Sequence, residues 1–146
     1  MNLRLDPKPE LPDITMYCDG SCLNNQNSGT GGWAAILDYN DNQKIVKGCC
    51  EQTTNNRMEI QAVIGGMSAL KKRCKVKVLS DSQYVVMTMT QNWKQKTNND
   101  LWTKLDELVA KHKVTFEWVK GHDENEKNEM ANKIAQAEAK KLKESL

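Results

Sequence analysis

Three short apolar stretches separated by polar segments occupy the first third of the chain. They cover residues 14–18, 32–39 and 44–51, and the segments between them are rich in Asn, Asp and Gly. Short apolar runs bounded by such turn-forming residues are typical of β-strands joined by hairpin connections. The pattern therefore predicts a meander of three antiparallel strands at the start of the fold.

Beyond residue 56 the apolar residues follow the spacing of helices, with two short strands between them. Helical spacing covers residues 57–73, 82–91, 100–112 and 128–143. Apolar runs at 76–80 and 114–119 predict the two further strands. Because strand–helix–strand units form right-handed crossovers between parallel strands, we predict an α/β fold. Its mixed five-stranded sheet has three antiparallel strands followed by two parallel ones, and helices flank it.

Local signals indicate how the first and last helices begin and pack. Asn56 and Glu59 resemble a capping pair at the start of the first helix. Gly65 and Gly66 lie inside that helix, where each glycine costs about 1 kcal/mol, and close packing against the sheet would explain that cost. The inner face of the last helix is predicted to carry Met130, Ile134, Ala137 and Leu142.

Length and composition indicate a single domain. The chain has 146 residues, of which 38% are hydrophobic, and this is enough for one buried core. All the prolines lie at Pro7, Pro9 and Pro12. We therefore expect residues 1–12 to form a flexible N-terminal arm and residues 13–146 to form the domain.

Charge and cysteine content indicate which binding partners and which cellular compartment to expect. The chain carries 21 basic and 19 acidic residues, a net charge of +2, so any binding of a polyanion has to be local. No apolar run approaches the roughly 18 residues of a membrane helix, and no signal peptide opens the chain. Five cysteines without metal-ligand spacing indicate reduced structural thiols. We expect a soluble, cytoplasmic protein with no membrane partner.

Three acidic side chains stand at the ends of predicted elements. Asp19 follows the first strand, Asp81 follows the strand at 76–80, and Glu59 lies in the first turn of the first long helix. The ends of strands in parallel sheets are where such folds gather their chemistry. Clustered carboxylates supply the oxygen ligands that hard cations prefer. The sequence therefore predicts a metal site.

Four short runs carry a resemblance to one family, the type 1 ribonucleases H. The runs are Asp19-Gly20-Ser21-Cys22, Thr53-Thr54-Asn55-Asn56-Arg57-Met58-Glu59, Asp81-Ser82-Gln83-Tyr84-Val85 and Trp118-Val119-Lys120-Gly121-His122. They occur in the family's order and match its succession of strands and helices. The resemblance spans about residues 13 to 140.

The resemblance implies an endonuclease that cuts the RNA strand of an RNA–DNA hybrid. It implies two Mg²⁺ ions per site, with Mn²⁺ as a substitute, and products that end in a 3′-hydroxyl and a 5′-phosphate. Asp19, Glu59 and Asp81 match the family's catalytic metal ligands. His122 matches a mobile imidazole that assists proton transfer or product departure, and the alternative is a solvent-exposed loop histidine without a role.

The fourth metal ligand departs from the family pattern, because Asn132 stands where an Asp is expected. An asparagine keeps one ligating oxygen but lacks the negative charge. One explanation is an inactivated protein that binds hybrids without cutting them. The other, which we favour, is a working enzyme in which the amide oxygen of Asn132 serves as a ligand, with Glu124 or Glu129 as possible contributors.

The resemblance also implies which residues contact the substrate. Asn25, Asn55, Asn56 and Gln83 match contacts to the RNA and DNA strands, and Thr54 matches a contact to a DNA phosphate. Turn capping is the alternative for Asn55 and Asn56. Arg57 serves either the same phosphate or the helix terminus.

One feature distinguishes this chain from many bacterial members of the family. The run from 90 to 99 leads directly to the next helix, so the inserted basic protrusion of those members is predicted to be absent.

The four tryptophans, Trp33, Trp93, Trp102 and Trp118, are assigned to core or hinge packing. His112 is interpreted as a solvated cation at a helix end. We expect a monomer that uses no organic cofactor.

Overall fold

The computed structural model describes residues 10–23, 29–120 and 125–146. Its strands are β1 (Asp13–Cys22), β2 (Gly29–Tyr39), β3 (Asn42–Thr53), β4 (Lys75–Ser80) and β5 (Lys113–Trp118). Its helices are α1 (Asn55–Ser68), α2 (Gln83–Thr90), α3 (Asn99–Ala110) and α4 (Glu126–Ser145). The predicted order of elements is confirmed.

One mixed sheet joins all five strands, in the order β3-β2-β1-β4-β5. The pairs β1–β2 and β2–β3 are antiparallel, whereas β1–β4 and β4–β5 are parallel. The predicted α/β fold with three antiparallel strands followed by two parallel ones is therefore confirmed. The parallel ladder between β1 and β4 ends at the pair Cys18 and Ser80. Asp19 and Asp81 follow these paired residues directly, so the two acids leave the ladder side by side.

Strand β1 is longer than predicted. Its antiparallel pairing with β2 continues to the pair Cys22 and Gly31, beyond the point where its pairing with β4 stops. Asp19 therefore lies within the strand rather than after its end. The sequence could not show this, because the hydrogen bonds that extend β1 come from a distant part of the chain.

Helix α1 starts and ends earlier than predicted. Its N-cap is Thr54, whose Oγ1 accepts from the amide of Arg57 at 3.2 Å, and Asn56 is already helical. Consequently Glu59 lies in the second turn. The helix ends at Ser68 rather than at 73, because the next two amides bond to carbonyls only three residues back, the tight pattern of a last turn.

The two glycines in α1 do mark close packing against the sheet, as predicted. A Cβ on Gly65 would lie 2.2 Å from the Trp33 ring, and one on Gly66 would lie 2.2 Å from Sδ of Met16. The helix therefore approaches the sheet more closely than any larger residue permits.

The inner face of α4 was predicted only in part, because Ile134 packs against the core but does not form the buried stripe. The buried residues of the helix are Ala131, Ala135 and Ala139, whereas Met130 is 37% exposed. A Cβ on Gly32 of β2 would lie 2.2 Å from the carbonyl oxygen of Ala135. The helix lies so close to the sheet that only alanines fit between them, and the larger apolar side chains are pushed to the flanks.

Two of the four tryptophans lie in the core as predicted, whereas the other two and His112 differ from the prediction. Trp102 is fully buried and Trp33 packs on the same core, but Trp93 and Trp118 are exposed. His112 is half-buried, and its Nδ1 accepts from the amide of Cys74 at 3.1 Å. Burial, with help from nearby positive charges, lowers the pKa of His112, so it serves as a neutral acceptor and not as a cation.

The segment between α2 and α3 contains no helix or strand, so the prediction of a chain without the inserted protrusion is confirmed. All five cysteines are free thiols. Within the described ranges, none of the helices combines the length and apolar character that crossing a membrane requires.

Candidate active site

Three carboxylates converge at the end of the parallel ladder. Asp19 from β1, Glu59 from α1 and Asp81 from the turn after β4 place oxygens within 4.8 Å of one another. Gly20 makes this possible, because a Cβ there would lie 2.3 Å from the carbonyl carbon of Met58 and 2.4 Å from the amide of Glu59. The missing side chain lets α1 touch β1 at the level of Asp19.

Glu59 is the most enclosed of the three acids. It is 9% exposed, and its Oε1 accepts a short hydrogen bond from the amide of Gly20. Burial, followed by the negative charge of Asp19, raises the pKa of Glu59 well above its usual range. A buried carboxylate beside another acid is therefore costly unless a positive charge joins it.

Asp81 is also close to the negative charge of Asp19, but its side chain is less buried than that of Glu59. Burial and the nearby charge of Asp19 raise its pKa to about 6. Its backbone carbonyl accepts from the indole Nε1 of Trp118 at 3.1 Å. The next residue, Ser82, caps α2 by accepting from the amide of Val85 at 3.2 Å. The turn that carries Asp81 is thus held by both neighbouring elements.

Asn132 occupies the fourth side of the cluster. Its Nδ2 donates to Oδ2 of Asp19 at 2.6 Å. One turn earlier on α4, Nδ2 of Asn128 donates to the carbonyl of Leu79 at 3.1 Å and ties the helix to the end of β4. Glu129, predicted as a contributor to the metal site, does not belong to the cluster that Asp19, Glu59 and Asp81 form among the described residues.

An open cleft of about 480 Å³ surrounds these groups. Besides the acids and Asn132, its lining includes Asn55, Asn56 and Gln83. Sequence reasoning assigned no site role to three other lining residues, Ser21, Tyr84 and Gln136. Gln136 follows Asn132 by one helical turn, a spacing that could have revealed it. The cleft is wide and polar, as a site for an extended ligand requires.

The structure separates the predicted substrate contacts into three groups. Thr54 caps α1, and Oδ1 of Asn55 accepts from the amide of Cys22 at 2.6 Å, so both have structural tasks. Asn56 and Gln83 are exposed at the mouth of the cleft. The remaining predicted residues, Asn25 and His122, lie outside the described residues, as does Glu124.

Arg57 takes a role that the sequence did not predict. Its guanidinium forms two hydrogen bonds with the carboxylate of Asp100, at 3.0 and 2.7 Å, and a third with Oδ1 of Asn98 at 3.3 Å. The hydrogen bonds from Arg57 lower the pKa of Asp100 to about 2. Arg57 therefore links α1 to the start of α3.

The arrangement fits a divalent cation. All its donors are oxygens, which hard cations prefer. The raised pKa values of Glu59 and Asp81 show that negative charge is crowded here, and a cation would relieve that crowding. The donor set that could hold the metal is Asp19, Glu59 and Asp81, with the amide of Asn132 beside them.

We expect the stability of the metal-free protein to fall as pH rises from about 4 to about 7. As pH rises through this range, Glu59 and Asp81 lose their protons first in the unfolded state, and the folded state holds them to higher pH because their pKa values are raised. The stabilising contribution is complete below about pH 4 and is lost as pH passes through the folded-state pKa values. Urea midpoints across this range measure the effect.

Saturating Mg²⁺ should flatten this pH dependence, because the cation offsets the repulsion between the ionised groups. Asp81→Asn should reduce the slope in the metal-free protein, since it removes one of the titrating groups. A stability that rises steadily from about pH 4 to about pH 7 without metal would contradict the expected crowding of charge.

Comparisons with known proteins agree with this geometry. A family model described as RNase H matches residues 12–140. The ribonuclease H of Caldicellulosiruptor saccharolyticus is 42% identical over 147 residues, which cover 91% of this chain and 100% of the relative. The crystal structure of LC9-RNase H1, a type 1 RNase H with the type 2 active-site motif, is 30% identical with a TM-score of 0.80. That match covers 93% of this chain and 75% of the other.

A further solved structure, LC11-RNase H1 in complex with an RNA/DNA hybrid, has a TM-score of 0.75 at 22% identity. It covers 88% of this chain and 98% of the other, and at that identity it supports the fold alone. The family match across most of the chain and the relative above 40% identity support more than the fold. This chain belongs to the type 1 ribonuclease H family and is an enzyme of that family.

Proposed function

We propose that the protein hydrolyses the RNA strand of RNA–DNA hybrids and leaves 3′-hydroxyl and 5′-phosphate ends. The observation that carries this proposal is the convergence of Asp19, Glu59 and Asp81, with oxygens within 4.8 Å, in an open polar cleft. Family membership supports the same activity. One chain supplies all three acids, so a monomer suffices.

The proposed metal ligands are Asp19, Glu59, Asp81 and Asn132, which would hold two Mg²⁺ ions. When bound, the ions supply neutralisation of the charge on the attacking and leaving oxygens of the scissile phosphate. The protein contributes the fixed positions of the ligands: Gly20 seats Glu59 beside Asp19, and Asn132 holds Oδ2 of Asp19. Prepositioned ligands spare the reaction the cost of assembling the site.

The proposed contacts to the hybrid are Thr54, Asn55, Asn56 and Gln83. Helices α1 and α2 both begin at the cleft, and helix N-termini favour phosphate groups. Exposed amide side chains suit sugar edges and the 2′-hydroxyl better than they suit a particular base sequence. We therefore propose recognition of the shape of the hybrid, and the hybrid complex of the structurally similar LC11-RNase H1 is consistent with it.

Cleavage of an end-labelled RNA–DNA hybrid with Mg²⁺ tests the proposed activity. Duplex DNA and duplex RNA of the same sequence are the controls. We expect cleavage of the hybrid RNA strand alone, with dependence on added metal. Failure to cut at any Mg²⁺ or Mn²⁺ concentration would overturn the proposal that the wild-type protein hydrolyses hybrids.

A second candidate function is binding of hybrids without hydrolysis, and Asn132 is the observation that favours it. Its amide hydrogen-bonds Asp19 and adds no negative charge to the cluster. Metal affinity should therefore be lower than with a carboxylate at this position. The two candidate functions predict different effects of placing a carboxylate at position 132.

We expect Asn132→Asp to leave the rate at saturating Mg²⁺ unchanged or improved and to shift the Mg²⁺ dependence to lower concentration. The added charge strengthens the attraction for cations and also removes the hydrogen bond to Asp19, so the metal-free variant should be less stable. Hydrolysis rates and unfolding midpoints over a Mg²⁺ titration measure both effects.

Asn42→Asp, in an exposed position at the start of β3, is the matched control for the added charge. A wild-type protein that binds the hybrid without hydrolysing it, and that Asn132→Asp alone activates, would establish the binding function instead. Equal Mg²⁺ dependence in the wild type and Asn132→Asp would exclude position 132 from the metal site.

A further inference from the structure

The end of β5 grips the turn that carries Asp81. Trp118 is the last residue of β5 and pairs with Ser80, the last residue of β4. The amide of Val119 donates to the carbonyl of Ser80 at 2.9 Å, and the indole Nε1 of Trp118 donates to the carbonyl of Asp81 at 3.1 Å. The carbonyls of Ser80 and Asp81 are therefore held by the last residue of β5 and the residue that follows it.

Burial does not explain the tryptophan at position 118. Its side chain is 39% exposed, and it stands on the edge strand of the sheet, unlike the fully buried Trp102. Its indole N–H nevertheless has a defined acceptor, the carbonyl of Asp81. A tryptophan supplies an apolar body with a single directional donor, and here that donor reaches past the end of the ladder.

Asp81 needs such a restraint because its neighbours repel it. Asp19 and Glu59 place carboxylate oxygens within 4.8 Å of its own, and Asp81 is the one of the three that lies in a turn rather than in a strand or helix. Like charges at this distance repel one another and push the turn outward. A hydrogen bond to the Asp81 peptide opposes that movement without entering the cleft.

We infer that Trp118 is a positioning residue, whose indole N–H holds the Asp81 peptide and so keeps the Asp81 carboxylate in reach of Asp19 and Glu59. The inference rests on the proposed function in one respect, that Asp81 is a metal ligand. Trp118 itself does not line the cleft. Its effect should therefore appear in metal affinity before it appears in hybrid binding.

Trp118→Phe tests this inference, because it keeps an aromatic ring and deletes the donor. Loss of one hydrogen bond predicts Mg²⁺ affinity weaker by about fivefold, measured without hybrid from the metal-dependent rise in Tm. The rate at low Mg²⁺ should fall by about the same factor and recover at high Mg²⁺, while KM for the hybrid is unchanged. Trp93→Phe, at a tryptophan that is 51% exposed, is the control and should change neither quantity.

Hydrogen exchange of the turn at 81–83 separates this inference from the proposed function. Exchange there should be faster in Trp118→Phe than in Trp93→Phe, whether or not the protein cuts hybrids. Unchanged exchange at this turn would overturn the restraint itself. Faster exchange with unchanged Mg²⁺ affinity, or a rise in hybrid KM equal to the loss in rate, would overturn the positioning role. A wild type that binds no divalent metal would overturn the proposed function and, with it, that role.

Discussion

Replacement of Asp19 by asparagine is expected to abolish hydrolysis of the hybrid. Asp19 lies at the centre of the site: its charge raises the pKa values of both Glu59 and Asp81, and its Oδ2 accepts from Asn132. Neutralisation by metal contributes several kcal/mol to such reactions, so losing it should cost on the order of a thousandfold in rate. Initial rates with a labelled hybrid over a range of Mg²⁺ concentrations measure the loss.

The same substitution should stabilise the metal-free protein, because it removes a negative charge from beside two crowded acids. A combination of higher unfolding midpoint and lost activity would therefore exclude misfolding as the cause. Asp41→Asn, in an exposed turn, is the matched control and should keep full activity. Full activity in Asp19→Asn would remove Asp19 from the proposed site.

Gly20→Ala is expected to damage both stability and activity. The added methyl carbon would lie 2.3 Å from the carbonyl carbon of Met58 and 2.4 Å from the amide of Glu59, and backbone atoms cannot yield as a flexible side chain does. Overpacking of this kind costs about 3 kcal/mol, and moving α1 away from β1 should separate Glu59 from Asp19. Urea denaturation and hydrolysis rates give the two measurements.

Rates in the Gly20→Ala variant should fall at least roughly tenfold, since displacements of about 1 Å at a catalytic group cost large factors. Gln43→Ala, at an exposed position of β3, serves as the control for substitution in the sheet. Wild-type stability in Gly20→Ala would show that β1 and α1 can separate at no cost, contrary to the contact seen here.

Much of the fold was predictable because short-range patterns report it directly. The order of strands and helices, the mixed sheet and the close approach at Gly65 and Gly66 were all predicted and confirmed. The apolar face of α4 was predicted only in part, because its alanines are selected by the distance to Gly32 across the sheet rather than by periodicity along the helix. Helix ends were also misplaced, since Thr54 rather than Asn56 provides the cap.

The sequence predicted which three acids form the candidate site, but it did not predict the long-range contacts that hold the surrounding elements in place. Nothing in the sequence indicated that Arg57 would bond to Asp100, that His112 would accept from an amide, or that Trp118 would hold the Asp81 carbonyl. Each of these contacts joins residues at least 37 positions apart. Such partners are chosen by the packing of elements, which a linear motif does not record.

The sequence by itself determined the family, the kinds of side chain available to the site and the order in which the elements meet. Only the tertiary structure decided how close Asp19, Glu59 and Asp81 come and which groups hold them there. The physical reason is that residue types and spacings act along the chain, whereas the crowding of charge arises between segments that the sheet brings together. That crowding makes a cation a fitting ligand for this cleft.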